Sequence, residues 1–359
     1  FLPETLVLYR TARSYSYQIK NYLELHDTHM RAVQAQLKAD LAPAGNDGVF
    51  ALIIGESLCR NYMSCYGYPK DTTPFQQELG KSKYGFIFQS VYSCHVQTIK
   101  VLPLALTQKN QYDSQDLSLK DSISLIDLAN YYDYRTFWLS NQFPLSNHDS
   151  PTSALASAAH KVVFLKLPKL GNSQNHFDLE LTDSINDTIS NRELWIIHLN
   201  GNHLPYQNNA PESYVCDKSF NAYERSVRYN DHVIAELFKK FTARKLSAIV
   251  YFSDHADGVS IGKGHDPRNV TQEMLEIPLW VYLSPEYAGR HPELAEHLKH
   301  AVNKTFTNDL IFNLMTEIMG IDNRFTPEKY KITSSRYMIN RKNALTMHRE
   351  RKVFTDNEN

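Results

Sequence analysis

The chain has 359 residues, 42% of them apolar and 12% aromatic, which is enough for one large α/β domain or two ordinary ones and excludes a disordered chain. Charges nearly balance at a formal net −1, so no global field recruits nucleic acid or an anionic membrane. No apolar run approaches the ~20 residues needed to cross a bilayer.

In chain order, Tyr15, Ile19, Tyr22, Leu23, Met30, Val33, Leu37 and Leu41 recur at three-to-four spacing and predict a helix over 12–41, ended by the loop Pro43-Ala44-Gly45-Asn46-Asp47-Gly48. Such a helix would pack on the domain, link it to a preceding segment, or lie in a membrane interface. The start, Phe1-Leu2-Pro3-Glu4, is neither an initiator Met nor a signal peptide, so the expectation is a fragment of a longer chain whose missing part would hold a membrane anchor. Residues 49–54 form an apolar run broken by Gly55 and followed by Glu56-Ser57, where Ser57 would cap a helix. Tyr66-Gly67-Tyr68-Pro69 marks a turn. A helix is predicted over 121–132, then strands over 135–139, 161–165 and 194–199.

Tyr223, Val227, Val233, Ile234, Leu237 and Phe238 predict a helix leading into the strand 248–252, which ends in Ser253-Asp254-His255-Ala256-Asp257. A strand over 278–283 and an apolar-faced helix over 306–319 follow, and the polar stretch after Tyr330 is expected to be partly loose. This alternation reads as an α/β fold with a mostly parallel central sheet flanked by helices. Cys59, Cys65, Cys94 and Cys216 have no CxxC spacing, which argues against a cysteine zinc finger; Cys59 and Cys65 are close enough in sequence to bridge, and the pattern leaves their redox state open.

In open α/β sheets the ligand site lies off the carboxyl ends of the strands, where Glu56 and the pair Asp254-His255 would meet. Two carboxylates and an imidazole are a credible zinc ligand set. Three further clusters carry chemistry: Ser93-Cys94-His95-Val96-Gln97-Thr98; His198 and His203 around Leu199-Asn200-Gly201-Asn202; and His265 in a glycine-rich loop. Singly, each has a plain structural reading, a surface Asp-His pair or a Glu serving a helix N-terminus. Together they place ligand-type residues at several independent strand ends.

Gly55-Glu56-Ser57, Asn61, Tyr66-Gly67-Tyr68 and Thr72-Thr73-Pro74 resemble the opening signature of the phosphoethanolamine transferases, members of the alkaline phosphatase superfamily alongside sulfatases and phosphoglycerol transferases. Ser93-Cys94 with Thr98 and Pro103 resembles that family's nucleophile segment, and 198–205 its His…Gly-x-His-Gly-Pro segment. Asn221-Ala222-Tyr223 and Tyr229-Asn230-Asp231 match a family helix, and Ser253-Asp254-His255 with His265 its metal-binding end. The resemblance runs in consistent order over 49–283.

That resemblance implies an alkaline phosphatase/sulfatase-like fold; with the helical pattern before it and the polar stretch after it, the chain is expected to divide into an N-terminal linker helix region (1–48), a catalytic domain (49–330) and a polar C-terminal tail (331–359). It implies zinc held by Glu56, Asp254 and His255, with Thr98 as fourth ligand and nucleophile, and His203, His265 and His198 lining a second-metal or substrate site. The implied reaction transfers phosphoethanolamine from phosphatidylethanolamine through a phospho-threonine to an envelope acceptor, lipopolysaccharide lipid A, a core sugar or another envelope glycan. The enzyme would be tethered to the bacterial inner membrane through a missing N-terminal domain and face the periplasm.

Three departures bear on the subgroup. Asp257 stands where the family has glutamate, which shortens an acidic arm beside the metal; Leu204 replaces a glycine by the donor pocket; and Cys94 lacks the cysteine partner of the lipid A-modifying members, Leu104 standing in its place. Trp138-Leu139-Ser140-Asn141-Gln142 and His148-Asp149 resemble a segment of members acting on lipopolysaccharide core. Rival readings are phosphoglycerol transfer, hydrolysis as a phosphodiesterase or sulfatase, and a non-enzymatic binding relative. The segment after Thr98 lacks the x-Pro-x-Arg of sulfatases, and a binding-only relative would have lost ligand positions that are filled here.

Overall fold

The computed structural model describes residues 20–21, 23–36, 45–113, 118–144, 150–166, 176–185 and 190–354. Its centre is a seven-stranded sheet in which β1 (Gly48–Gly55), β4 (Arg135–Ser140), β5 (Lys161–Phe164), β6 (Arg192–His198) and β7 (Leu246–Ser253) run parallel. β8 (Leu279–Leu283) runs antiparallel to β7, and β2 (Gly85–Ile87) antiparallel to β8, giving the order β2-β8-β7-β1-β6-β4-β5. The central strands are continuous apolar runs because helices cover both faces, as parallel sheets require. Phe50 through Ile54 and Ile249 through Phe252 are fully buried. Among the described residues no helix is long and apolar enough to cross a membrane.

The helix Ala222–Thr242 starts where Asn221 and Glu224 cap each other: the Asn221 side chain accepts from Glu224 N at 2.9 Å and the Glu224 carboxylate from Asn221 N at 2.8 Å. The same device corrects the helix expected over 121–132. Ser124 and Asp127 form a capping box, so the helix runs Leu125–Tyr131, and Leu119–Asp121 is a separate 3-10 turn. The helix expected over 306–319 also begins later, at Ile311. Thr305–Thr307, β-branched and aromatic, instead pairs as β9 with β3 (Ser90–Tyr92).

Ser57 does not cap a helix. It adopts φ +56°, and its amide donates to Asp254 Oδ1 at 3.2 Å; only the short 3-10 turn Arg60–Tyr62 follows. Of the long N-terminal helix, residues 23–36 are described as helical and the ends of the predicted range lie outside the described residues. That stretch packs on the domain: Val33 is buried and His29 Nε2 lies 2.6 Å from Asp127 Oδ2. The stretch after Tyr330 is not loose through residue 354. Ile332, Ala344 and Thr346 are fully buried, and Leu345–Thr346 pairs with Arg351–Lys352.

Candidate metal and phosphoryl-transfer site

Sheet register creates the site. Gly55 pairs with Ser253 across β1 and β7, so the residues that follow, Glu56 and Asp254, leave neighbouring strands side by side. The close approach continues from β6, where Gly201 (φ +54°) packs on the Glu56 backbone; a Cβ there would come within 2.7 Å of Glu56 N. Only glycine admits both that angle and that contact.

Glu56, Asp254 and His255 are almost wholly buried, at 1%, 0% and 0% exposure. His255 Nε2 lies 3.2 Å from Glu56 Oε1 and 3.4 Å from Asp254 Oδ2. Thr98, the first residue of the helix Thr98–Ala105, places Oγ1 3.0 Å from Glu56 Oε2 and 3.3 Å from His255 Nε2. Gln97 takes the cap position of that helix, so the Thr98 hydroxyl is not spent on capping.

Charge and geometry both fit a divalent cation. Burial would raise the Glu56 carboxyl, yet the charge and hydrogen bond of His255 outweigh it and hold it well below the usual carboxylate range. Burial, with the Glu56 charge added, pushes Asp254 up. Burial opposes the charged form of His255, and the two carboxylates overcome it and raise it. One imidazolium cannot neutralise two buried carboxylates, and among the described residues nothing donates a hydrogen bond to Asp254 Oδ2. A tetrahedral zinc with bonds of ~2.0–2.1 Å separates its ligand atoms by about 3.3 Å, close to the 3.0–3.4 Å spacings here. Glu56, Asp254, His255 and Thr98 are thus the residues that would hold the ion.

A second group, His255, Asp257 and His265, adjoins the first. The shorter Asp257 still reaches its contacts: Oδ1 lies 2.7 Å from His265 Nδ1, and Oδ2 accepts from Tyr206 OH at 2.7 Å. His203 and His265 face each other at 6.0 Å across a cleft of about 590 Å³ that Glu56, Thr98 and Leu204 also line. His198 is buried behind the cleft wall, against Trp138 at 6.1 Å, and does not line the cleft, while its charge still bears on Glu56. Larger hollows, of about 840 Å³ beside β2 and about 1030 Å³ near Glu317, gather no ligand cluster among the described residues. All four cysteines are free, Cys94 fully buried, and His148 and Asp149 lie outside the described residues.

The support behind these ligands was not read from the sequence. Asn308 holds Cys94 N at 2.9 Å and donates to the Asp254 carbonyl at 2.6 Å, tying the segment 93–98 to a candidate ligand. Thr346 Oγ1 donates to Ser93 O at 2.8 Å and His348 N to Cys94 O at 3.3 Å. Both contacts come from segments more than 200 residues away in the chain, which no local pattern signals. Lys166 and Asn200 also line the cleft. They follow β5 and β6, so the strand-end rule that singled out Glu56 would have found them.

The sequence profile of the sulfatase family matches residues 49–321. The chain belongs to the sulfatase family. Within that family it is similar to the phosphoethanolamine transferase EptC of Escherichia coli K12, 29% identical over 276 residues, covering 69% of this chain and 47% of the relative. The phosphoethanolamine transferase CptA of Salmonella typhimurium is 25% identical over 299 residues, covering 75% and 50%. The chain therefore spans about half the length of the curated relatives it matches. Among solved structures, the C-terminal periplasmic domain of Escherichia coli EptC in complex with Zn superposes with TM-score 0.72 at 25% identity, covering 83% of this chain and 89% of that one. An alkaline phosphatase superfamily protein from Vibrio parahaemolyticus shares the fold at TM-score 0.59 and 15% identity.

Proposed function

We propose that this sulfatase-family domain transfers phosphoethanolamine from phosphatidylethanolamine to a lipopolysaccharide or other envelope-glycan acceptor, with zinc at Glu56, Thr98, Asp254 and His255 and a phospho-threonine at Thr98. It would work on the periplasmic side of the bacterial inner membrane, tethered through a further N-terminal segment. The observation that carries the reading is the meeting of the Thr98 hydroxyl with two buried carboxylates and an imidazole at 3.0–3.4 Å. The relatives named above as phosphoethanolamine transferases supply the group transferred.

When bound, zinc would favour ionisation of a hydroxyl and neutralise charge on phosphoryl oxygens. Glu56 accepts the Thr98 hydrogen bond and fixes Oγ1 at the mouth of the cleft. As Thr98 Oγ1 gives up its hydroxyl proton and bonds to phosphorus, the phosphorus–oxygen bond to diacylglycerol breaks and the leaving oxygen takes up one proton, so the proton count is unchanged. The N-terminus of the helix Thr98–Ala105 favours the anionic group at that point. In the second half the acceptor oxygen bonds to phosphorus and Thr98 Oγ1 departs. His203 and His265, facing each other over the cleft, are placed to exchange the acceptor's proton.

Thr98→Ala against Thr98→Ser tests this with donor turnover, zinc content and intact mass all recorded. Alanine should abolish turnover and the phosphoethanolamine adduct, and serine should keep part of both. An adduct surviving in Thr98→Ala places the nucleophile elsewhere, and an adduct of phosphoglycerol mass replaces the donor.

A further inference from the structure

Lys166 is the only lysine or arginine lining the cleft among the described residues. Its stem is half-buried, and its ammonium sits 5.8 Å from the Phe143 ring centre and donates to Asn200 Oδ1 at 2.5 Å. An ammonium carries three donors, and a lysine free to do so extends its charge into water. Here, among the described residues, no carboxylate forms an ion pair with it. The carboxylate whose charge bears on it most, Asp178, is occupied by three amide donors: Asn141 Nδ2 at 2.9 Å, Asn200 N at 2.7 Å and Gly201 N at 2.8 Å. Asp178 thus fixes the Asn200 backbone, Asn209 takes the Asn200 amide at 3.0 Å, and Asn200 in turn aims Lys166. Burial accordingly works against the charged form of Lys166. A cation held inside a cleft with no carboxylate in contact is costly until an anion comes into contact with it.

We propose that Lys166, aimed by the Asp178–Asn200 relay, is the phosphate-binding residue of this cleft, taking an anionic phosphoryl oxygen of a substrate. The role rests on the transferase reading, and the phosphate has two sources: the group being transferred, or a phosphate carried by the acceptor. An ammonium–phosphate hydrogen bond is charge-assisted, so its loss should weaken binding about 10- to 100-fold.

The test uses zinc-loaded wild-type protein, Lys166→Met, Lys166→Arg and the exposed control Lys81→Met. It measures calorimetric affinity for inorganic phosphate, zinc content, thermal midpoint, turnover of a soluble phosphoethanolamine diester with water as acceptor, and transfer to a sugar acceptor with and without its phosphate. Lys166→Met should bind phosphate at least about 10-fold more weakly with zinc content and midpoint unchanged, Lys166→Arg should recover part of the loss, and Lys81→Met should match wild type. A parallel fall in diester turnover assigns Lys166 to the transferring group; a fall confined to the phosphorylated acceptor assigns it to the acceptor. Phosphate affinity in Lys166→Met within two-fold of wild type overturns the proposal. If wild type turns over no diester, the transferase reading fails while the phosphate arm still decides the role of Lys166.

Discussion

Asp309 gives the cleanest test of how the fold bears buried charge close to the segment that carries Thr98. It is fully buried behind that segment, its carboxylate accepting from Gln111 N at 2.8 Å and Gln111 Nε2 at 3.4 Å. Burial pushes it up to about 6 from an ordinary 3.8. The folded state therefore binds this proton more tightly than the unfolded chain. The stability it contributes is complete below the unfolded value and is lost as pH rises through about 6. A shift of that size corresponds to about 3 kcal/mol at ~1.36 kcal/mol per pH unit. Asp309→Asn removes the titration while keeping an oxygen for Gln111 N. Urea unfolding from pH 4 to 7.5, with metal chelated throughout so that zinc linkage does not intrude, should show the wild-type advantage over the variant shrinking by about 2–3 kcal/mol as pH rises. Parallel curves over that range would mean that the carboxylate ionises in the fold at no cost, and the desolvation argument would fail.

Two further predictions address strain and positioning. Lys245 is exposed at φ +59°, where a side chain is strained, so Lys245→Gly should stabilise the domain by about 0.5–1 kcal/mol, read as a raised urea midpoint with unchanged slope. Thr346→Val keeps the shape of a fully buried side chain and deletes only its bond to Ser93 O; it should cost about 1 kcal/mol and lower turnover several-fold with zinc content unchanged, checked by denaturation, kinetics and metal analysis side by side.

The sheet was legible because its central strands are buried on both faces, so 49–54, 194–199 and 248–252 stand out as unbroken apolar runs. The first metal cluster was legible because its charged residues follow two of those runs directly. The short pieces were not. The helix Pro74–Lys81 spans two turns, and the edge strand β2 three residues, too little for a period to declare itself. Ser57 misled because its type suits a cap, whereas tertiary contacts hold it in a left-handed conformation that no propensity indicates. Asp178 and Asn308 act through backbone amides and carbonyls brought together only by the fold. Lys166 stayed hidden for another reason: it follows a short, half-buried edge strand, and its meaning depends on the carboxylate that is too occupied to pair with it.

The order of the strands explains why the proposed ligands are these residues. β1 lies between β7 and β6, so its carboxyl end is flanked by the two loops that carry Asp254-His255 and Asn200-Gly201. Seven consecutive register pairs join β1 to β6 and seven join it to β7, with one irregularity at Val49/Phe50 near the far end. Beyond that point the ladder runs regularly to the Gly55–Ser253 pair, and a slip of one residue would turn every core side chain of β1 to the wrong face. The apolar core therefore sets the separation of Glu56 and Asp254, which is why two carboxylates can be held together in a place where each alone would rather be neutral. A core substitution in β1 far from the cleft, in reaching the register, would reach the proposed metal site as well.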